Sequence, residues 1–264
     1  DLEGVFTPKW SPDGMRLAFV GNKNSASDIY TIDLKTNEIV NLTSDIFSDS
    51  EPSWHPSSSK LLFVSDRGSK IDRIPTTAVD MIDHNFEQNN IYSIDINTKI
   101  VEKITNSSSN KNYPIYANTK NVIFYTSDYN GTWNIFKHDL DSGNAYPVTN
   151  FITGLKGLSL TNDDAMMIFS GYSGWGWDVY SLNNPLQMKE QTIEPTIYIK
   201  NIKSDLKEDI VDLREDKYRG VESNTTDYSD YIFAWEYQYL NDQKSQDDYE
   251  QPSFLKSNVQ LKND

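Results

Sequence analysis

The chain has 264 residues, enough for one large domain or two ordinary ones, so burying a sizeable core is not limiting. Its formal net charge of -15 repels phosphate backbones and anionic lipid surfaces, which excludes nucleic acid as a partner. The absence of cysteine removes disulfides, thiolate catalysis and cysteine-based zinc sites, and no run of about 18 apolar residues offers a membrane-spanning helix.

In chain order, a unit of about 44 residues repeats. The first reads Pro8, Trp10, Ser11-Pro12-Asp13-Gly14, then Leu17-Ala18-Phe19-Val20, Asp28-Ile29-Tyr30-Thr31-Ile32-Asp33 and Leu42-Thr43. The second gives Pro52, Trp54, Leu61-Leu62-Phe63-Val64, Ile91-Tyr92-Ser93-Ile94-Asp95 and Ile104-Thr105. The third gives Pro114, Tyr116, Val122-Ile123-Phe124-Tyr125, Asn134-Ile135-Phe136-Lys137-His138-Asp139 and Val148-Thr149. A weaker fourth gives Leu158, Leu160, Met166-Met167-Ile168-Phe169 and Asp178-Val179-Tyr180-Ser181-Leu182. Pro8 to Pro52 and Thr105 to Thr149 are both 44 apart, Phe124 to Phe169 is 45, and unit two carries some 18 extra residues between its second and third runs.

Each unit holds four short β-branched or aromatic runs separated by turn residues, which predicts one four-stranded antiparallel blade per unit. In Ser11-Pro12-Asp13-Gly14, Pro presets φ, Asp caps locally and Gly takes the positive φ that closes the turn. A single blade cannot bury both of its faces, so the units must stack around an axis. The predicted fold class is all-β, a β-propeller of about four readable blades over residues 1–185, complete or partial. Trp10, Trp54 and Tyr116, with Phe19, Phe63, Phe124 and Phe169, are its expected core.

The PxWSPDGxxLAF head, the Asp28-Ile29-Tyr30-x-Ile32-Asp33-Leu34 run and the closing Leu42-Thr43 resemble the TolB-like propeller repeat (PD40), a relative of WD40. The resemblance spans about Val5 to Asn184 and decays after unit one: His55-Pro56-Ser57-Ser58 replaces the full turn motif. It implies a fragment of a larger bacterial envelope protein, periplasmic or otherwise in the cell envelope, with six blades expected in a whole propeller. It also implies a non-catalytic scaffold for protein partners. Alternatives under the same resemblance are the propeller of a prolyl-oligopeptidase-like serine peptidase, or the periplasmic propeller of an outer-membrane barrel protein, with the other domain outside this chain.

Candidate chemistry is sparse, and no catalytic residue, cofactor or metal site is assigned. Gly171-Tyr172-Ser173-Gly174-Trp175 approaches GxSxG but ends in Trp and falls between strands two and three rather than on a strand-to-helix elbow. His55 and His138 sit at repeat positions, which argues for scaffold roles. Asp80, Asp83, His84 and Glu87 share the spacing of one helical face, which reads as a solvated acidic face rather than a metal site.

The links between strands two and three open on the same end of a propeller as the links between blades. Grouped there are Phe47, Asp49, Glu51, Asp66, Tyr129, Trp133, Tyr172, Trp175 and Trp177, an aromatic and acidic set expected to receive a protein or peptide partner of basic character. From residue 186 to 264 the repeat is lost, and the stretch reads as an irregular acidic linker or extension, partly disordered. Within it, Thr196 to Ile202 alternates like a strand and Tyr231 to Leu240 is dense in aromatics.

Overall fold

The computed structural model describes residues 2–24, 26–69, 84–201 and the backbone of 259–261. These form four antiparallel sheets of four strands each. Blade 1 comprises β1 (Gly4–Trp10), β2 (Arg16–Lys23), β3 (Ala26–Asp33) and β4 (Ile39–Asn41). Blade 2 comprises β5 (Asp49–Trp54), β6 (Lys60–Ser65), β7 (Asn90–Asp95) and β8 (Val101–Lys103). Blade 3 comprises β9 (Lys111–Tyr116), β10 (Val122–Ser127), β11 (Asn134–Asp139) and β12 (Ala145–Pro147). Blade 4 comprises β13 (Leu155–Leu160), β14 (Met166–Ser173), β15 (Gly176–Asn183) and β16 (Val259–Leu261). The tandem-blade expectation therefore holds.

Two recurrent sequence features acquire a cause. The Thr that closes each of the first three units accepts from the backbone of the third strand: Ile29 N to Thr43 Oγ1 at 3.0 Å, and Ile91 N to Thr105 Oγ1 and Ile135 N to Thr149 Oγ1 at 2.9 Å. Each hydroxyl in turn donates to the side chain of the residue just before that isoleucine, Asp28, Asn90 or Asn134. These buried bonds fasten the exit of the outer strand to the blade centre, satisfying groups that burial would otherwise leave costly. In the heads of units one and four, Ser11 Oγ and Thr161 Oγ1 bond Asp13 and Asp163 at 2.6 Å and close the first turn.

Adjacent blades pack face to face through three apolar junctions. Ala18, Val20 and Ile29 meet Trp54, Leu61, Phe63, Tyr92 and Ile94 between blades 1 and 2. Leu62 and Ile91 meet Tyr116, Ile123, Tyr125 and Phe136 between blades 2 and 3. Val122, Phe124 and Ile135 meet Leu158, Met167, Phe169 and Tyr180 between blades 3 and 4. Side chains alternate across each sheet, so blades 2 and 3 each offer one face to the blade before and the other to the blade after.

This register corrects the sequence alignment in unit three. Phe19, Phe63 and Phe169 pair across strands with Tyr30, Tyr92 and Tyr180, whereas Phe136 pairs with Tyr125. Tyr125, not Phe124, is the equivalent aromatic. Phe124 is core as expected but lies on the opposite face, against blade 4. A second correction concerns Trp10, which is 66% exposed where Trp54 and Tyr116 are 7% and 8% exposed. No described blade precedes blade 1, so Trp10 has no sheet to pack against.

Beyond blade 4 the chain turns back. After the 3-10 turn Pro185–Gln187, it crosses the outside of blade 3, where Gln191 N donates to Pro147 O and Thr196 N to Asn130 O, both at 2.8 Å. Leu186 and Met188 pack on the junction of blades 3 and 4, and Ile193 on that of blades 2 and 3. Residues 197–201 are helical, which overturns the strand expected from Thr196 onward. Tyr231 to Leu240 lies outside the described residues.

Candidate functional site

The four inner strands surround an axial cavity of 370 Å³ lined by Thr7, Trp10, Glu51, Trp54, Tyr113 and Gly157, among others. Each inner strand carries a bulge there, and the bulged residue is left-handed in all four blades: Thr7, Glu51, Tyr113 and Gly157 have φ of 47°, 53°, 53° and 67°. Three are not glycine, an arrangement that costs on the order of 1–3 kcal/mol at each position and persists only where the surroundings dictate it. Glu51 reaches across to accept from Tyr113 N. Burial pushes its carboxyl above the ordinary range, against that bond and the nearby Lys9. Glu51 thus belongs to the axis rather than to the loop end.

At the loop end, Phe47, Asp49 and Asp66 are buried, which corrects their placement on a contact face. They build an internal network around Arg67. Its Nη2 lies 2.7 Å from both Asp49 oxygens, its Nη1 lies 3.1 Å from Asp45 Oδ2, and its guanidinium lies over the rings of Phe47, Phe63 and Tyr92. Asp66 accepts from Ser48 N and faces His84 at 3.4 Å. Burial, opposed by Arg67, pushes Asp49 up to about 7 and raises Asp45 as well. Asp28, Asp45 and Asp49 bring carboxylate oxygens within 4.8 Å of one another, a donor set suited to a cation, and Arg67 supplies positive charge at that place. Of the acidic helical face read from the sequence, Asp80 and Asp83 lie outside the described residues, and His84 packs against Phe47 and Phe86.

The remaining predicted residues stay at the surface. Tyr129 is exposed and Trp133 half-buried on blade 3. On blade 4, Tyr172, Trp175 and Trp177 come together at the tip of the β14–β15 hairpin, with the Tyr172 and Trp177 rings 5.6 Å apart and Lys156 Nζ 3.8 Å over Trp177. Ser173 pairs with Gly176, so Gly174 and Trp175 form the two-residue loop, with φ of 50° and 78°. Positive φ at both positions is the type I′ turn that matches strand twist, and it normally takes Asn or Gly. Here the second position is a tryptophan 62% exposed. The GxSxG-like serine sits in this hairpin, where Ser173 Oγ bonds Asp178 at 2.6 Å and Tyr180 OH at 2.8 Å.

Residues 3–78 match the family described as the TolB beta propeller domain. The repeat is TolB-like. The Tol-Pal system protein TolB of Francisella tularensis subsp. mediasiatica (strain FSC147) is 24% identical over 149 residues, which cover 56% of this chain and 30% of that protein. The chain therefore spans about 30% of the length of the curated TolB relatives it matches. Among solved structures, TolB from Acinetobacter baumannii superposes with a TM-score of 0.57 at 22% identity, over 73% of this chain and 44% of that one. Puromycin hydrolase superposes at 0.52 with 13% identity, over 74% of this chain and 30% of that one, a likeness of fold alone. TolB-like blades thus account for the spacing of the repeat. Sequence reasoning missed the axial bulges, whose one signal was the proline that follows Thr7, Glu51 and Tyr113 alike.

Proposed function

We propose that this chain is a non-catalytic, TolB-like propeller of the bacterial cell envelope that binds a protein partner through the aromatic tip of blade 4. The single observation that carries this reading is Trp175, a bulky side chain held at a φ of 78° and 62% exposed in a turn that favours glycine. A conformation that costs stability and presents a large ring to solvent is characteristic of a contact residue, and Tyr172, Trp177 and Lys156 extend it into a patch. The curated relatives are named for the Tol-Pal system, which makes a Pal-type envelope protein from the same cell the partner to test.

The test separates binding from folding. Trp175→Gly relieves the backbone at that position while deleting the ring, so the variant is expected to unfold at equal or higher urea concentration yet bind the Pal-type protein at least about tenfold more weakly by calorimetric titration. Unchanged affinity in the stable variant would remove the tip from the interface.

A further inference from the structure

The junctions between blades 1 and 2 and between blades 2 and 3 are built from the same repeat positions, and this makes one an internal control for the other. On the side of the first-strand turns, the junction of blades 1 and 2 leaves a groove of 180 Å³ beside Arg16, Thr31 and Val40. The counterpart between blades 2 and 3 is a cavity of 430 Å³. Cross-strand pairing fixes the equivalences: Val40 opposes Thr31 as Glu102 opposes Ser93, and Ile94 opposes Leu61 as His138 opposes Ile123.

Two apolar residues at the first junction are therefore a carboxylate and an imidazole at the second. The position of His138 is Ile32, Ile94 and Leu182 in the other three blades. A third replacement lines the same cavity. His55 stands where blades 1 and 4 carry Ser11 and Thr161, beside the equally placed first-strand residues Trp54, Trp10 and Leu160. Core formation alone does not call for three such exchanges converging on one opening between two blades.

The polar groups have a definite sense. Ser57 N donates to His55 Nδ1, so the neutral ring carries its proton on Nε2 and presents a donor there. Burial, with Lys60 nearby, lowers the His55 pKa, and burial lowers that of His138. His138 Nδ1 is buried and accepts no hydrogen bond among the described residues. Lys60 Nζ lies 3.4 Å from Glu102 Oε2, and Lys103 bonds Asn106 at 3.1 Å. The two lysines against one glutamate give the lining an excess of one positive charge in a chain of net -15. Tyr116, whose ring meets His55 edge-on at 4.7 Å, supplies an apolar wall.

We propose that this cavity binds a small organic anion, a carboxylate or a phosphate monoester, with its charged end toward Lys60, Lys103 and the His55 Nε2 proton and its body against Tyr116. The site is separate from the blade 4 tip and does not depend on the function assigned to it. Benzoate and phenyl phosphate are the probes, read by the imidazole carbon-proton NMR signals of the full chain. Either probe is expected to move the His55 and His138 signals while His84 stays still, and which of the two binds more tightly identifies the headgroup. His138→Ile restores the residue of the neighbouring junction and should weaken binding about tenfold. Glu102→Val removes the like charge and should strengthen it. Circular dichroism of both variants reports the fold. Stationary signals with both probes, or a folded His138→Ile protein that binds as tightly as the parent, would overturn the proposal.

Discussion

The junction of blades 1 and 2 and the junction of blades 2 and 3 solve one packing problem with different chemistry at both ends. Their centres agree: Leu61, Phe63 and Tyr92 at one correspond to Ile123, Tyr125 and Phe136 at the other. Their rims do not. At the loop end, Asp49 opposes Ser65 as Lys111 opposes Ser127, so one position is a buried acid at the first junction and a buried amine at the second. Asp49 is held by Arg67, whereas Lys111 Nζ bonds Asn90 Oδ1, Ser107 Oγ and the Ser109 carbonyl. Stacking of blades fixes the centre and leaves the rim open to variation, which is where a repeat protein can acquire function without losing its fold.

The largest effect should come from breaking the first rim. Arg67→Ala leaves Asp45 and Asp49 buried without their cation and is expected to cost about 3–5 kcal/mol in urea denaturation. The counterpart at the second rim, Tyr129→Ala, removes an exposed ring and should stay within about 0.5 kcal/mol. Equal losses would mean that the two rims carry the same load.

The pH response should come next, with opposite slopes at the two rims. Burial pushes Asp49 from 3.8 up to about 7, so the folded state holds that proton more tightly than the unfolded chain. Its contribution is complete below about pH 4 and is lost as pH rises through 7. Burial pushes Lys111 from 10.5 down to about 8, so the unfolded chain binds that proton more tightly, and stability from this group is present above pH 10.5 and lost as pH falls through 8. Urea midpoints across both windows check the signs. Asp49→Asn should flatten the acid window and Lys111→Met the alkaline one.

A graft between the junctions sharpens the comparison at the other end. Ile94→His places in the first junction the imidazole that the second carries, but without the cavity beside it, and is expected to cost about 1–3 kcal/mol in the same assay. A neutral result would mean that either junction accommodates an imidazole, and the second would lose its distinction.

How much of this was legible in the sequence follows from the same division between centre and rim. The 44-residue spacing and the β-branched third strands specified four blades because every unit repeats the central pattern. Unit three slipped by one residue because Phe124 and Tyr125 are both large and aromatic, so hydrophobic pattern alone gives no phase; only the stacking of Tyr125 on Phe136 at 5.7 Å does. The contact set divided for a related reason. Asp49 and Asp66 look like surface acids in sequence, and it takes Arg67, 18 residues after Asp49, to bring Asp49 inside. Tyr172, Trp175 and Trp177 lie at the surface, on a hairpin whose length and turn type could not be read from the repeat. The strap across blade 3 left no periodic signal, because its anchors are mostly backbone bonds and single side chains.

The smallest effects should fall on the two faces that end the series. Val179 corresponds to Ile29, Ile91 and Ile135, all fully buried, yet it is 60% exposed, and Trp10 stands open in the same way at the other end. A side chain that leaves little water behind on folding has little transfer free energy to lose. Val179→Ala and Trp10→Ala should therefore each stay within about 0.5 kcal/mol, while Trp54→Ala, which also deletes the 3.0 Å bond from the indole to the Lys9 carbonyl, should be plainly destabilising. If Val179→Ala instead proves as costly as truncating a junction residue, that face is covered in solution, and blade 4 has a neighbour on the side away from blade 3.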